Sequence, residues 1–362
     1  MNDKIKNISI SVIFLVIIIG MLIINCISKD KEMSISERRR LQQLPVISVD
    51  SILSGKTSGD FEEYGADQFA FRDSIRSIKN FVHLNILRQK DTDGYFIKDG
   101  VIYKQEYPLK VDSVINVADH INTISKKYLN QTNNIYYSVV PDKSYFLNDD
   151  HLKIDYAELE KILSENIKKA EYIDLFDLLS IDDYYKTDTH WKQENMLKVA
   201  KKLSERMEFN VNEEYTVNSK GEFQGVYYGQ INLGGQLDEL KYITNSDIDQ
   251  SYVFDAEKNE TKGIYNEEGL DTLDKYNYFL YGSVPILKIT NPMAESQKKL
   301  VIFRDSFGSS LAPWLVSGYK EITLVDTRYV SENILQNYID FNNSDVLFIY
   351  STLLINQSSA LK

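Results

Sequence analysis

Three residues of the sequence have the types that a serine-centred acyl-transfer site requires. Asp188 and His190 lie two apart in a segment that reads YYKTDTHWKQEN, and in an extended segment residues i and i+2 share a face. An imidazole oriented by a carboxylate can act as a general base when a nucleophile reaches it. The best candidate nucleophile is Ser306, far downstream in RDSFGS.

The residues around Ser306 indicate how it could be activated. The run KKLVIF at Lys298–Phe303 predicts a buried strand, and small residues lead from it into an apolar helical run at Leu311–Val316. Ser306 would then lie between the carboxyl end of a strand and the N-terminus of a helix, where free backbone N–H groups can stabilise an oxyanion. Ser306 could equally cap that helix, and Asp188 could cap the helix that follows it.

The remaining chain predicts an α/β fold that would position these residues. Strand-like and helix-like runs alternate, which is typical of a mostly parallel sheet. The clearest strands are Asn134–Val140, Tyr172–Leu175 and Val346–Tyr350, and the clearest helices are Tyr156–Lys169 and Glu194–Met207. Because a triad divided between independent domains would be hard to pre-organise, we expect these runs to share one sheet.

The middle of the chain departs from this alternation. Residues 211–296 are rich in aromatic residues and glycine and predict a β-rich insertion, of which Phe223–Asn232 is expected to form a lip near the site. A strand is expected at Tyr278–Leu280 and a helix at Ser331–Ile339. Nearer the N-terminus, the Gly, Ser and Thr residues of Ser54–Asp60 predict a break.

An apolar segment near the N-terminus predicts attachment to a membrane. Ile8–Ile27 contains 20 residues without a charge, enough to cross the hydrocarbon core as a helix. It fits an anchor or a signal peptide, and we favour an uncleaved anchor because its end, Ile23–Ile24–Asn25–Cys26, does not supply the small residues of a cleavage site. Cys26 also permits a lipoprotein interpretation, which Asn25 disfavours because a lipobox has a small residue there.

Basic residues flank both sides of the apolar segment, so their charges do not set its orientation in the membrane. The short tail before the segment and the large domain after it favour a catalytic domain outside the cell. The expected division is an anchor at 1–28, a stalk at 29–60 and a catalytic domain at 61–362.

Composition excludes several other classes of protein. The net charge is −12, from 41 Lys and Arg against 53 Asp and Glu, and no basic stripe interleaves with aromatic residues, so nucleic acid is excluded as a partner. Asp188 and His190 could ligate a cation, but a catalytic zinc needs three protein ligands and no HExxH motif or Cys cluster supplies a third. No cofactor is expected, since Walker A and GxGxxG motifs are missing. A GxSxG nucleophile elbow is missing as well.

The segments TDTHW and RDSFG, in this order, resemble the DHHW family and the related alginate O-acetyltransferases, which are SGNH-hydrolase-like enzymes. The resemblance extends over most of the chain outside the apolar segment. Its other matching stretches are Arg38–Pro45, Phe61–Arg72, Asp93–Val101, Val140–Lys143, Tyr278–Ile289 and Val325–Tyr329.

This resemblance implies a three-layer α/β/α fold with Ser306 as nucleophile, His190 as base and Asp188 as the residue that orients the base. The order Asp, His, Ser is permuted relative to an ordinary SGNH hydrolase, as in the alginate acetylation proteins. Two departures concern the oxyanion donors. Arg304 stands where a GDS-type motif has Gly, and Tyr281–Gly282–Ser283 stands where a Gly-Gly-Asn-like loop is expected.

Further residues are candidates for contacts with substrate or oxyanion. Gly282 and Ser283 are candidate oxyanion donors, while Tyr185 and Trp191 frame the imidazole segment; Trp191 is by default a packing residue. Two cations, Lys143 and Arg328, follow strands at the expected carboxyl edge of the sheet, where ligands bind in open α/β folds. Of these two we favour Arg328 as the substrate contact. His151, which follows Asn148, Asp149 and Asp150, ranks below His190.

The expected function is that of a membrane-anchored, extracytoplasmic O-acetyltransferase acting on an exported or cell-surface polysaccharide. A carbohydrate esterase is the nearest alternative, because water can resolve the same acyl-enzyme. A catalytically silent polysaccharide-binding or assembly protein is a second. Since acyl donors such as acetyl-CoA are cytoplasmic, the resemblance implies a multi-spanning membrane acyltransferase as a partner that supplies the acyl group.

Overall fold

The structure, a computed structural model, describes residues 3–148 and 151–362. These residues form two units. The first takes in the described residues up to Thr92 together with Tyr228–Gly234, and the second takes in the described residues of Asp93–Tyr227 and Gly235–Lys362. This division differs from the expected boundary at residue 60, because residues 61–92 pack with the segment before them and with Tyr228–Gly234.

The helices and strands of the described chain are as follows. The helices are α1 Asp3–Ile27, α2 Val49–Leu53, α3 Lys56–Asp67, α4 Arg72–Phe81, α5 Val111–Tyr128, α6 Tyr156–Asn166, α7 Leu197–Met207, α8 Tyr228–Ile231, α9 Ser246–Gln250, α10 Phe307–Leu315 and α11 Thr352–Ile355. The strands are β1 Met33–Ser34, β2 Arg39–Arg40, β3 Tyr95–Lys98, β4 Val101–Lys104, β5 Ile135–Val140, β6 Glu171–Tyr172, β7 Thr216–Phe223, β8 Asp238–Thr244, β9 Tyr252–Asp255, β10 Glu260–Lys262, β11 Ile286–Thr290, β12 Lys299–Arg304, β13 Glu321–Val325 and β14 Ser344–Ser351.

An eight-stranded mixed sheet forms the centre of the second unit. Its strand order is β10-β9-β11-β13-β12-β14-β5-β6. The five strands from β13 to β6 are parallel, and β11, β9 and β10 continue the sheet with antiparallel pairings. The expectation of a mostly parallel sheet is therefore confirmed.

Alternating side chains of the central strands enter two separate cores. In β12, Leu300 and Ile302 pack into one apolar cluster with α7 and α10. Val301 and Phe303 pack into the other with α5 and α6. Both faces of a parallel sheet need such cover, which is why β14 is buried along its whole length. Helices thus lie on both sides of the sheet.

Residues 211–296 contain five strands, but they do not form one body. β7 pairs only with β8 in a separate hairpin, whereas β9, β10 and β11 belong to the large sheet. The expected strand at Tyr278–Leu280 is wrong: residues Lys275–Tyr278 form a 3₁₀ turn, started by the Asp274 carboxylate accepting from Tyr276 N. The strand begins later, at Ile286.

Two further expectations about secondary structure need correction. The expected helix at Ser331–Ile339 is a shorter 3₁₀ segment, Glu332–Asn337, whose first turn is capped by the Ser331 hydroxyl. The expected break at Ser54–Asp60 is mostly helical. Gly55, at φ 75°, is the N-cap of helix α3, which begins at the next residue, Lys56. A glycine tolerates this left-handed conformation, so the two residues Ser54 and Gly55 suffice to separate α2 from α3.

The first unit begins with an apolar helix. Helix α1 has 25 residues with a mean hydropathy of 3.0 over its most apolar window, and none of that window is buried in the protein. It is long and apolar enough to cross a membrane, and a signal sequence would have the same properties. A hydrogen bond from Ala70 N to the Asn25 side-chain oxygen, 2.8 Å long, joins its last turn to the segment between α3 and α4.

Candidate active site

Asp188, His190 and Ser306 form one continuous hydrogen-bonded chain. The distance from Asp188 Oδ1 to His190 Nδ1 is 2.5 Å, and the distance from His190 Nε2 to Ser306 Oγ is 2.7 Å. Asp188 is completely buried and His190 is 6% exposed, whereas Ser306 is only half-buried. This is the geometry in which an oriented imidazole takes the proton of an attacking hydroxyl.

A tight hairpin, not an extended strand, brings Asp188 and His190 together. Tyr184 pairs with Trp191 in an antiparallel bridge, and Tyr185 N donates to His190 O at 3.0 Å. Within the turn, Asp188 Oδ1 accepts from His190 N at 3.0 Å. The i and i+2 side chains therefore meet because the carboxylate closes an Asx turn around the histidine.

The loop that follows β7 covers the back of this turn, where the lip at Phe223–Asn232 was expected. Val226 N donates to Asp188 Oδ2 at 2.7 Å, and Gly225 N donates to Thr187 Oγ1 at 2.9 Å. A Cβ on Gly225 would lie 2.4 Å from Asp188 Cα, so only glycine fits there. Asp238 holds the turn from another side by accepting from the N–H and hydroxyl of Thr187.

These contacts keep the Asp188 carboxylate ionised. Burial acts to raise its pKa, but attraction to His190 and hydrogen bonds from His190 and from Val226 N outweigh burial and hold the pKa well below its usual range. A charged Asp188 fixes the tautomer that leaves His190 Nε2 free to accept from Ser306.

Ser306 lies at the turn from β12 into α10, as the sequence predicts. The capping role falls to its neighbour, because Asp305 Oδ1 accepts from Phe307 N at 3.0 Å while Ser306 makes no side-chain cap. The Ser306 hydroxyl is thereby left for His190. In the described part of the chain the Ser306 backbone N–H donates to no acceptor, which suits an oxyanion donor at a helix start.

An aromatic wall fixes the plane of the imidazole. The Tyr276 ring stacks on His190, and Phe307 packs against the same ring at 5.0 Å between centroids. The Tyr276 hydroxyl and Trp191 Nε1 both donate to Ser310 Oγ, at 2.7 and 2.8 Å. Burial raises the pKa of Tyr276 well above its usual value, so this hydroxyl stays protonated.

The two segments of the site are joined a second time by Gln193. Its side-chain Nε2 donates to Ser310 O at 2.9 Å, and its backbone oxygen accepts from Trp314 Nε1 at 2.9 Å. Its Oε1 accepts from Ile243 N at 3.0 Å. Gln193 is fully buried, and it ties the histidine hairpin to helix α10 and strand β8.

Lys143 is a buried cation beneath the histidine hairpin. Its ammonium donates to the backbone oxygens of Tyr185 and Lys186, at 3.2 and 3.3 Å, and lies 4.9 Å from the centre of the Tyr227 ring. Burial lowers the pKa of Lys143 to about 7, against an opposing attraction to Asp188. The charge state of this lysine therefore changes near neutral pH.

Arg328, the favoured substrate contact, makes a two-pronged ion pair with Asp326. Its Nε and Nη2 donate to the two carboxylate oxygens at 2.9 and 2.6 Å, and its side chain is 22% exposed. Arg304 is buried on the same carboxylate, with Nη1 3.6 Å from Asp326 Oδ2. Burial lowers the pKa of Arg304, against the attraction of Asp326. Substrate contact by Arg328 stays a prediction; two of its five guanidinium N–H donors are used by Asp326.

The candidate oxyanion loop is tied to Arg304 through its carbonyl. Gly282 O accepts from Arg304 Nη2 at 3.2 Å, and Gly282 N donates to Phe279 O at 3.3 Å. Gly282 has φ 71°, and a Cβ there would lie 2.1 Å from the Asn277 side-chain oxygen. The Gly282 N–H is thus occupied in this structure, while Ser283 is exposed. Arg304, which stands where a glycine was expected, orders this loop.

No group of three or more His, Cys, Asp or Glu side chains that could hold a metal occurs in residues 3–148 and 151–362.

Tyr185, named from sequence as a frame residue, is fully buried, and its ring packs edge-on against Phe223. Its side chain packs into a core cluster with Phe223 and Tyr276. Trp191 combines the two roles considered for it, since it packs against Phe307 and donates to Ser310.

Solved structures share this fold. A DHHW family protein from Eubacterium siraeum aligns with a TM-score of 0.61 and 21% identity, covering 75% of this chain and 94% of that one. Bacillus cereus PatB1, solved with a sulfonyl adduct, aligns with a TM-score of 0.59 and 20% identity, covering 72% and 95%. The O-acetyltransferase domain of Pseudomonas putida AlgJ aligns at 12% identity and a TM-score of 0.42, covering 73% of this chain and 92% of that one. We draw no conclusion about the fold from an alignment at this TM-score. No family model and no curated protein matches the chain. The fold is thus that of a DHHW family protein, and the resemblance stated from TDTHW and RDSFG is confirmed at that level.

Proposed function

We propose that the protein is a membrane-anchored O-acyltransferase that transfers an acetyl group to an exported or cell-surface polysaccharide through an acyl-enzyme on Ser306. The observation that carries the proposal is the hydrogen-bonded chain from Asp188 through His190 to a half-buried Ser306. The resemblance of the TDTHW and RDSFG segments to the alginate O-acetyltransferases favours a sugar hydroxyl as acceptor.

The reaction would proceed in two transfers. Ser306 Oγ attacks the acyl carbonyl of an activated ester while His190 Nε2 takes the hydroxyl proton, and that proton then passes to the leaving group. In the second transfer the acceptor hydroxyl gives its proton to His190 and attacks the acyl-enzyme, which restores the Ser306 hydroxyl. The Ser306 N–H would stabilise the oxyanion in both steps.

The esterase alternative uses the same acyl-enzyme and water as the acceptor. The two functions are separated by the fate of a preformed acyl group. We would incubate the purified protein with an activated acetyl ester, follow the acetyl adduct on Ser306 by mass spectrometry, and then add oligosaccharides. A transferase loses the adduct faster with oligosaccharide and yields an acetylated sugar. An adduct that water removes equally fast, with no acetylated sugar, supports the esterase.

The proposed location is a membrane that α1 spans once, with the second unit outside the cytoplasm. Within Ile8–Ile27 the polar side chains are Ser9, Ser11 and Asn25, all near its ends, so this helix can anchor but offers no path for an acyl group. A multi-spanning membrane acyltransferase would therefore supply the acyl group. Tethering beside it would raise the effective donor concentration to roughly the millimolar range for a short linker.

A further inference from the structure

Helix α4 of the first unit turns its polar side toward protein and its apolar side outward. Asn80 is buried, and its side-chain amide donates to two backbone carbonyls of the segment Tyr228–Gly234, at 3.1 and 2.7 Å. The Ser77 hydroxyl donates to a third carbonyl of that segment at 2.6 Å. Arg72 is held by Glu37 in the same unit. Polar contacts, not apolar packing, therefore attach α4 to its unit.

The opposite face of α4 is apolar and open. Phe71, Ile75 and Ile78 follow the helical spacing i, i+4, i+7 and are 64%, 44% and 63% exposed. Phe81 and Ile86, in and after the last turn of α4, are 51% and 62% exposed. We call these five side chains the α4 apolar face. Single exposed apolar residues are ordinary, but a continuous row of this size marks a docking surface.

The position of this face in the unit points to what covers it. Asn25 is in the last turn of α1, and its side-chain oxygen accepts from Ala70 N. The uncharged stretch of α1 ends at Ile27, so with α1 in a bilayer this turn lies where the helix leaves the hydrocarbon core. Phe71 directly follows Ala70. The α4 apolar face therefore begins at the depth of the membrane surface.

The charges beside this face fit the same environment. Residues 71–90 contain five basic side chains and one acidic side chain, a net charge of +4 in a chain whose net charge is −12. The basic residues are Arg72, Arg76, Lys79, Arg88 and Lys90; Arg72 and Arg76 pair with Glu37 in the same unit, whereas Lys79, Arg88 and Lys90 are exposed. A helix with an apolar face and a basic border is typical of segments that lie in the plane of a membrane interface and attract anionic headgroups.

We propose that the α4 apolar face is immersed in the interface of the bilayer that holds α1, with lipid as its occupant. The proposal rests on the membrane location within the proposed function, and not on the chemistry of Ser306. Two attachments, one across the membrane and one along its surface, would fix the orientation of the first unit, which a single spanning helix leaves free to rotate.

Fluorescence quenching in liposomes tests this proposal with the full chain. Cys26 is the only cysteine, so a Cys26→Ser background allows one cysteine to be introduced and labelled. The test variant is Ile78→Cys. The control variant is Glu62→Cys, at an exposed position beside Glu63. The vesicles contain phosphatidylcholine and phosphatidylglycerol, with or without bromine on the acyl chains. We expect bromolipid to lower the emission at position 78 roughly twofold, because such helices lie ~5–10 Å into the headgroup boundary. The control label should be quenched by aqueous iodide instead.

Two outcomes overturn the proposal. Equal iodide quenching at positions 78 and 62, without bromolipid quenching at either, places the face in water. Protection of position 78 in native membranes but not in pure lipid assigns the face to a protein partner.

Two further variants support the interpretation of the quenching. Adding Ile75→Glu to the Ile78→Cys chain should reduce bromolipid quenching, with circular dichroism as the check on folding. Repeating the measurement with Ser306→Ala should leave the quenching unchanged, so a failure of the proposed chemistry remains distinguishable.

Discussion

The Tyr276 ring lies flat against the His190 imidazole, with centroids 3.7 Å apart and planes 6° from parallel. Because Asp188 already holds Nδ1, this stacking removes the remaining freedom of the ring to tilt away from Ser306. Tyr276 therefore positions the imidazole that we propose as the base, and it does so without a hydrogen bond to Ser306.

Replacing Tyr276 separates the stacking from its hydroxyl bond. Tyr276→Phe keeps the ring and loses only the bond to Ser310, so we expect a small reduction in the rate of Ser306 acylation. Tyr276→Leu loses the stack, and we expect a fall of about 10²-fold, the cost of misplacing a reacting group by about 1 Å. Acylation by an activated acetyl ester, followed by mass spectrometry, measures both. Equal rates in the two variants would assign the effect to the hydroxyl bond.

Ser306→Ala should abolish the acetyl adduct while changing the free energy of unfolding by less than about 1 kcal/mol, because one half-buried hydroxyl contributes little. A matched control lies three residues on. Ser309 is buried, and in the part of the chain that the structure describes its hydroxyl has no hydrogen-bond partner. Ser309→Ala should retain acylation. An adduct that persists in Ser306→Ala would remove Ser306 from the mechanism.

Asp188→Asn should be milder than His190→Ala, since it disturbs the orientation and tautomer of the base without removing it. In a comparable triad the losses in kcat are on the order of 10⁴-fold for the carboxylate and 10⁶-fold for the histidine. Single-turnover acylation rates provide the comparison. Wild-type rates in both variants would make the TDTHW hairpin a structural element only.

Lys143→Met should change how stability depends on pH. The pKa of Lys143 falls from 10.5 to about 7 on folding, so between these values the unfolded chain binds more protons than the folded one. Stability from this group therefore rises with pH across that window, by up to about 1.4 kcal/mol per pH unit, and its penalty is complete below about pH 7. The Met variant lacks this slope. Urea unfolding of both proteins at pH 6.5, 8 and 9 tests it, and parallel profiles would contradict the shifted pKa.

Removing residues 1–29 and secreting the remainder tests the supply of acyl groups. We expect polymer acetylation in cells to be lost, because the catalytic unit is no longer held beside its donor, while the purified protein still accepts acetyl from a small activated ester. The control is the same secreted chain fused to an unrelated membrane helix, which should recover acetylation. Full acetylation by the anchor-free enzyme would favour a soluble donor or an esterase.

The sequence was informative wherever the site depends on local geometry. Asp188 and His190 are close in the sequence and belong to one turn. Ser306 follows strand β12, which the apolar residues before it predict. Tyr276 and Gln193 were missed because only tertiary packing brings them to the imidazole and to helix α10. The order of Arg328 and Lys143 as candidates also depended on information absent from the sequence. In the folded protein Arg328 forms an ion pair with Asp326, and Lys143 is buried beneath the hairpin. Neither environment can be read from the residues next to Arg328 or Lys143 in the sequence.

His190 and Ser306 are separated by 116 positions along the chain. The turn that joins Asp188 to His190 closes through near neighbours, but the bond to Ser306 requires β12 to be aligned with β14, a strand near the end of the chain. Such long-range pairing is slower than the closing of a local turn, because the entropy of loop closure opposes it. During synthesis the turn that joins Asp188 to His190 can therefore close before Ser306 is in place. An acyl donor that met the chain at that stage would find no serine beside the imidazole, and the proposed activity would begin only once β12 and β14 are paired.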